Sequence, residues 1–261
     1  MAIALNWPAA WNRKQRSSAT MVTSAIVLVM LLWLLAIPLS LAPEPIGNNA
    51  QAFAEGTRVT VQLTIIAGLS GVVLGILAAL GKLSPLPPLR WIASFYIWVI
   101  RGTPLLVQIL FVFFALPTVV PFLQMSDFAS ACVALAFNIG AYNAEAIRAG
   151  LLAVPKGQIE AARSLGMNRW YTFIDVTFPQ AFKIALPPLV NNIVSLLKDS
   201  SLAYAIGVVE LTNIGNRIQA ATFQPLPILL TTALIYLLFT TVLTQISNAV
   251  ERRFDVEGKL A

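Results

Sequence analysis

Residues 160–179 read EAARSLGMNRWYTFIDVTFP, a charged, turn-containing island between long apolar runs. The stretch leading into it, KGQIEAARSL at 156–165, is short, helix-prone and amphipathic, with Ile159, Ala162 and Leu165 on one face. Gly166 ends that helix, because glycine accepts the left-handed backbone that any side chain makes costly. Asn168 is placed to cap a second helix, RWYTFIDV, which carries Trp170, Phe173, Ile174 and Val176 until Pro179 stops it. Two short helices at an angle, lying across a membrane surface, are the expected product. An elbow with Arg163, Arg169 and the small Ala161 and Ala162 suits a groove on a partner protein. An anchor dipping into lipid headgroups fits the same residues.

The chain around the island belongs in a bilayer, since 58% hydrophobic and 11% charged residues leave too little polar surface to cover a soluble protein. Crossing ~30 Å of hydrocarbon takes about 20 apolar residues. Six windows qualify or nearly so: 20–41, 59–80, 103–120, 128–147, 184–208 and 227–250. Lys and Arg stay on the cytosolic side of short loops. With six spans and both termini cytosolic, all of the 17 Lys and Arg lie inside except Arg58 and Arg217, which fall outside, and Lys198, which falls within a span. The +6 net charge is therefore a topology signal, and no basic cluster interleaved with aromatics suggests nucleic-acid binding. With no His and one Cys, Cys132 in an apolar run, the sequence offers neither a His/Cys metal site nor an internal disulfide. The first window, followed by Ser40-Leu41-Ala42, imitates a signal peptide, but it exceeds the ~7–15 residues of a signal core and reads as an uncleaved anchor.

Polar residues inside the apolar windows mark candidate sites. Asn191, Asn192, Ser195, Lys198, Asp199, Ser200 and Ser201 are too polar to face lipid, where a central charge costs about 2.5–3.5 kcal/mol. A span ending at Leu197 would be too short, which places Lys198 and Asp199 at membrane depth near a helix break. Adjacent helical residues point about 100° apart, so the pair does not satisfy itself, and a zwitterionic amino acid offers a partner to each. An internal ion pair that only stabilises packing is the alternative. Gln62, Thr64, Gln108, Asn138, Asn143, Thr241 and Gln245 are further candidates for the same route or for interhelical hydrogen bonds. Glu145 reads as an i,i+3 partner of Arg148. In RGTP, Thr103 is expected as an N-cap and Pro104 at the first helical position, with 91–100 interfacial. Arg101 then serves as a headgroup anchor or, with Gly102, Thr103 and Pro104, as a gate at the helix start. Residues 42–57 and 210–224, the latter with Glu210, Asn213, Asn216 and Arg217, are the loops expected outside.

Read as EAA, three residues, Gly166, nine residues, Val176, one residue, then Phe178-Pro179, the island resembles the EAA loop of ABC importer permeases, with Val176 and Phe178 in place of the usual Ile and Leu. TVQLTIIAGLSGVVLGILAAL (60–80), RGTPLLVQ (101–108) and LLKDSSLAYAIG (196–207) are similar to the polar amino acid subgroup of that family. The resemblance covers roughly 59–253 and implies an all-α membrane protein with a type I ABC importer transmembrane domain. A core of five helices at 59–253, with its cytosolic loop at 148–183, would follow an extra helix within 1–58 and precede a tail at 254–261. It also implies a coupling role for Glu160, Ala161, Ala162, Arg163, Gly166 and Arg169, and a substrate pathway through Gln108, Asn192, Lys198, Asp199, Ser200 and Ser201. The implied partners are two ATPase subunits that use ATP and Mg²⁺, a solute-binding protein outside, a second permease copy or a paralogue, and bilayer lipid. The implied location is a bacterial inner membrane, and no cofactor is expected in this chain. A Walker A loop is missing: its nearest approach, 75–82, has five residues between the glycines and is followed by Leu83. An ATP-independent channel or secondary transporter would suit the buried charges but leaves the EAA loop without a purpose.

Overall fold

The computed structural model describes residues 11–254 and is helical almost throughout. The expected tail at 254–261, apart from Phe254, lies outside the described residues, as does the side chain of Arg13.

Helix α1, Arg13–Leu34, starts at a reciprocal cap in which Asn12 and Gln15 exchange side-chain and backbone hydrogen bonds of 2.8 and 3.0 Å. It breaks after Leu34 and resumes as α2, Ala36–Ser40. Pro38 accounts for the break, since its ring crowds the carbonyl four residues back, that of Leu34. Helix α1 packs along α12, Pro225–Phe254, through Ser17, whose hydroxyl donates to the Ala249 carbonyl, and through Ser24, 3.5 Å from Gln245.

Helix α3, Ala50–Leu83, is 34 residues long, about 51 Å at 1.5 Å per residue, and so extends into the 42–57 segment read as loop. Its main partner is α7, Asp127–Leu152, which starts at a Ser126 cap on the Ala129 amide. The two approach closely because small residues face each other. A Cβ on Gly71 would stand 2.2 Å from Ile139 Cγ2, and one on Gly75 2.6 Å from Asn143 Cβ.

Helix α4, Pro87–Gly102, packs on α3 and α7 through Ala93 and Ile97 and meets the next helix at 112°. That helix, α5, spans Leu105–Leu110, opens into a π-turn at Phe111–Ala115 and closes as α6, Leu116–Val119. Pro117, which has no N–H for a regular ladder, sits just past the π-turn. Thr103 is not an N-cap. Its hydroxyl bonds back to the Val99 carbonyl at 2.9 Å, and Pro104 holds the cap position without a side-chain bond.

The island forms α8, Lys156–Ser164, and α9, Arg169–Tyr171. Pro179 does not stop the second helix. The chain passes through a π-turn at Thr172–Thr177 into α10, Phe178–Asp199, with Pro179 in the first turn, where its missing N–H is no loss. Helix α10 starts six residues before 184, so its 22 residues span ~33 Å. Lys198 and Asp199 therefore end a helix of crossing length, which removes the argument from shortness that placed them deep. The break expected beside them is present: a 3₁₀ turn at Ser200–Ile206 leads to Gly207 at φ +95°, and α11, Leu211–Thr222, departs at 52°.

Among the described residues three helices qualify as spans by length and apolarity, Lys14–Leu34, Gly47–Leu83 and Pro225–Phe254, or five if each bent pair is one. Helix α7 is not among them although its 26 residues reach ~39 Å. It lies among α3, α4 and α10, so it can hold buried Asn138 and Asn143 where a lipid-facing helix cannot.

Candidate functional site

The surface elbow is built as its local sequence dictates. Gly166 takes φ +85°, its N–H donates to the Arg163 carbonyl at 2.9 Å, and the Met167 N–H reaches Ala162 at 3.2 Å. This pair of bonds is the Schellman closure of α8. Asn168 Oδ1 then accepts from the Trp170 and Tyr171 amides at 3.0 Å each, which fixes the direction of the next helix. Ala162 is buried against the π-turn at Thr172–Thr177, whereas Glu160, Ala161, Arg163, Gly166 and Arg169 are exposed. Leu165, expected on the buried face beside Ile159 and Ala162, is 84% exposed, and Trp170 and Tyr171 stand out beside it. The elbow therefore offers an outward face of mixed apolar and basic character. Its aromatic part has no signal of its own in the sequence, where Trp170 and Tyr171 read as members of the second helix.

The second assembly is a cavity of about 480 Å³ between the start of α5, the middle of α7 and the end of α10. Thr103, Pro104, Asn138, Tyr142, Asn192, Ser195, Lys198 and Asp199 line it with Leu105, Ile139, Leu196 and Leu202. Two polar carriers anticipated for a pathway, Asn192 from α10 and Asn138 from α7, thus meet the Lys198 and Asp199 charges in one place. Asn192 is oriented by its Nδ2, which donates to Asn143 Oδ1 at 2.9 Å. Neither Lys198 nor Asp199 forms an ion pair among the described residues, in keeping with the divergence of neighbours on a helix.

Three expected pathway residues do not line this cavity. Ser200 is fully buried and its hydroxyl donates to the Leu197 carbonyl at 2.8 Å, closing the end of α10. Ser201 is half-buried on the 3₁₀ segment, outside the lining. Gln108 works from behind: its Nε2 lies 2.7 Å from the Ile100 carbonyl, 3.1 Å from the Thr103 carbonyl and 2.9 Å from the Thr103 hydroxyl, while Oε1 accepts from Asn138 Nδ2 at 2.9 Å. One amide thus holds the 112° bend and aims a cavity side chain. Arg101 sits outside the cavity with its guanidinium 5.2 Å from the ring centre of Tyr142, and Gly102 has open space around it.

Other polar clusters were only half legible. Glu145 pairs with Arg148 at 2.8 Å, as its spacing suggests, but it also pairs with Lys82, 63 positions away on α3. Glu210, read as part of an exposed loop, is fully buried. It caps α11 by accepting from the Thr212 and Asn213 amides at 2.8 Å each, and it accepts from the Tyr236 hydroxyl at 2.9 Å. Asn213 is buried as well, which leaves Arg217 as the exposed charge of that segment.

Residues 71–256 match the family described as binding-protein-dependent transport system inner membrane component. The L-cystine transport system permease protein TcyB of Bacillus subtilis is 41% identical over 201 residues, 77% of this chain and 85% of that protein. The arginine transport system permease protein ArtQ of the same organism is 40% identical, over 76% of this chain and 90% of its own length. The glutamine transport system permease protein GlnP of Escherichia coli K12 is 39% identical, covering 77% and 92%. A crystal structure of an amino acid ABC transporter with histidines superposes with a TM-score of 0.75 at 39% identity, over 79% of this chain and 95% of that one. An inward-facing MetNI methionine ABC transporter shares the fold alone, with a TM-score of 0.61 at 20% identity, over 80% and 99%. The all-helical architecture is thus the type I ABC importer transmembrane fold, and the chain belongs to the binding-protein-dependent transport system inner membrane component family, as a transport permease subunit.

Proposed function

We infer that this permease moves polar amino acids across a bacterial inner membrane, with six spans and both termini cytosolic. The observation that carries the reading is the cavity where unpaired Lys198 and Asp199 stand with Asn138, Asn192 and Ser195. An amino acid carries a carboxylate for the lysine and an ammonium for the aspartate, and a side chain that the amides can bind. Relatives named for cystine, arginine and glutamine transport support an amino acid over other small solutes.

Two ATPase subunits dock on the outward face of the α8–α9 elbow, where Glu160, Ala161 and Arg163 of α8 and Arg169 of α9 have no side-chain partners among the described residues. They hydrolyse ATP with Mg²⁺, and their closure pushes the Gly166 elbow against the π-turn that leads into α10. A second permease copy or a paralogue completes the pathway, with Arg101 to Pro104 at its gate. A solute-binding protein delivers substrate at the opposite face, near Arg217. Helix α1 is peripheral to this machine, for it lies outside the matched residues.

The test is uptake of a panel of labelled amino acids into proteoliposomes holding this chain with its ATPase and binding protein, with and without ATP. Uptake that depends on ATP and on the binding protein supports the reading. Uptake that proceeds equally without ATP overturns it in favour of a channel or secondary transporter.

A further inference from the structure

Helix α4 carries a feature that transport does not use. Trp91, Ile92, Phe95 and Trp98 all lie on its outward face, each at least half exposed, with Trp91 and Phe95 stacked at 5.5 Å and Phe95 and Trp98 tilted at 41° with ring centres 6.0 Å apart. Beside this ladder is a cavity of about 420 Å³ lined by Lys82, Ser94, Ile97, Trp98, Arg101, Gly102 and Glu145. Ser94 also lines a neighbouring hollow with Pro87, Pro88, Arg90 and Trp91. The groove thus runs along α4 from one basic residue to another.

Its charge balance points to an anion. Glu145 is the one carboxylate in the cavity, and it is held by both Lys82 and Arg148. The Arg101 guanidinium stacks on Tyr142 and has no hydrogen-bond acceptor among the described residues, so its donors are available. Arginine presents a planar fork that matches phosphate, and basic pockets between membrane helices on the cytosolic side suit anionic headgroups. The aromatic ladder argues for a lipid over a soluble phosphate, because Trp and Phe faces cover acyl chain and glycerol at the level of the interface. We propose that the groove between α3, α4 and α7 binds one anionic phospholipid of the cytosolic leaflet, its phosphate on Arg101 and Lys82 and its chains along Trp91, Phe95 and Trp98. The cytosolic placement rests on the topology given above. Because Arg101 also stacks on Tyr142, a wall of the candidate pathway, a bound headgroup holds that wall in place.

The experiment is lipid retention by the purified chain, measured by native mass spectrometry after extraction from membranes of phosphatidylethanolamine with phosphatidylglycerol. It needs neither ATP nor substrate, so its outcome is independent of whether the transport reading stands. One retained phosphatidylglycerol per chain is expected. Arg101→Gln should lower its retention about fivefold, the change expected for one basic charge at an anionic leaflet, while the remote Lys14→Gln retains it. Wild-type chain reconstituted with brominated phosphatidylglycerol covers the case of a variant that fails to fold. Quenching of its tryptophans should exceed that by brominated phosphatidylcholine at equal mole fraction. Equal retention by wild type and Arg101→Gln, equal quenching by the two lipids, or displacement of the lipid by millimolar glycerol 3-phosphate would each overturn the proposal, the last in favour of a soluble phosphate. A groove that retains lipid only in the monomer and loses it on dimerisation would overturn it in favour of a second copy of the chain.

Discussion

Substituting Gly166 isolates the contribution of the elbow. Its backbone is left-handed at φ +85°, and a Cβ built there meets nothing within 4 Å. The cost of Gly166→Ala is therefore torsional and not steric, about 1–2 kcal/mol for a residue with a side chain in that region. This corresponds to a fall of roughly fivefold to thirtyfold in the population of the closed turn relative to open ones. Gly166→Asn should cost less, since asparagine visits this conformation more readily. Gly166→Pro should cost more, because it fixes φ near −65° and deletes the N–H that donates to Arg163 at 2.9 Å. The assay is amino acid taken up per ATP hydrolysed in proteoliposomes containing the whole transporter. The ratio should fall in the order Gly, Asn, Ala, Pro, with helix content and assembly unchanged. A wild-type ratio for both the Ala and the Pro variant would refute a coupling role for the elbow.

Three further outcomes are expected. Asp199→Asn should reduce ATP-dependent uptake at least about tenfold, the loss of one charge-assisted contact in the cavity, while the complex still assembles; unchanged uptake of every amino acid in the panel would remove Asp199 from the pathway. Gly71→Ala should destabilise the chain by about 1–3 kcal/mol through overpacking, because its Cβ would press on Ile139 and lie 3.1 Å from the Ala136 carbonyl. Thermal unfolding in detergent reads this directly, with Gly102→Ala, which meets open space, as the silent comparison. Glu210→Ala should cost about 2 kcal/mol by removing a helix cap, seen as faster hydrogen exchange of the Thr212 and Asn213 amides; exchange at the wild-type rate would show that α11 does not depend on this carboxylate.

How far the sequence carried the reading depended on the range of each interaction. The Gly166 closure and the Asn168 cap use bonds within five residues, so glycine and asparagine announced them. The break after Asp199 was legible from the density of polar residues, but its depth was not, because the beginning of α10 at Phe178 is masked by the π-turn and by a proline that reads as a stop. Helix α7 shows why hydropathy alone misjudges a buried span: Asn138 and Asn143 are tolerated by partners that belong to other parts of the chain. The Lys82 to Glu145 pair, and the bond from Tyr236 to Glu210, join residues 63 and 26 positions apart, and neither spacing carries a local periodic signal. Gln108 stands out in the sequence as a polar residue in an apolar run, yet its bracing of the bend has no local signal, because its partners Ile100, Thr103 and Asn138 come together only once the bend is formed.

Helix α10 joins the two candidate sites mechanically. Its first turns rest against the surface elbow, and its last residue, Asp199, stands in the cavity ~33 Å away. Each half of the helix acts as an arm of about 16 Å, and a tilt of about 10° moves its end by ~3 Å. Pro187 and Pro188 interrupt the hydrogen-bond ladder near its midpoint, where a proline pair concentrates bending. The fulcrum is thereby written into the sequence, and shifting the pair by a turn in either direction would change the stroke delivered at Asp199 without touching either end.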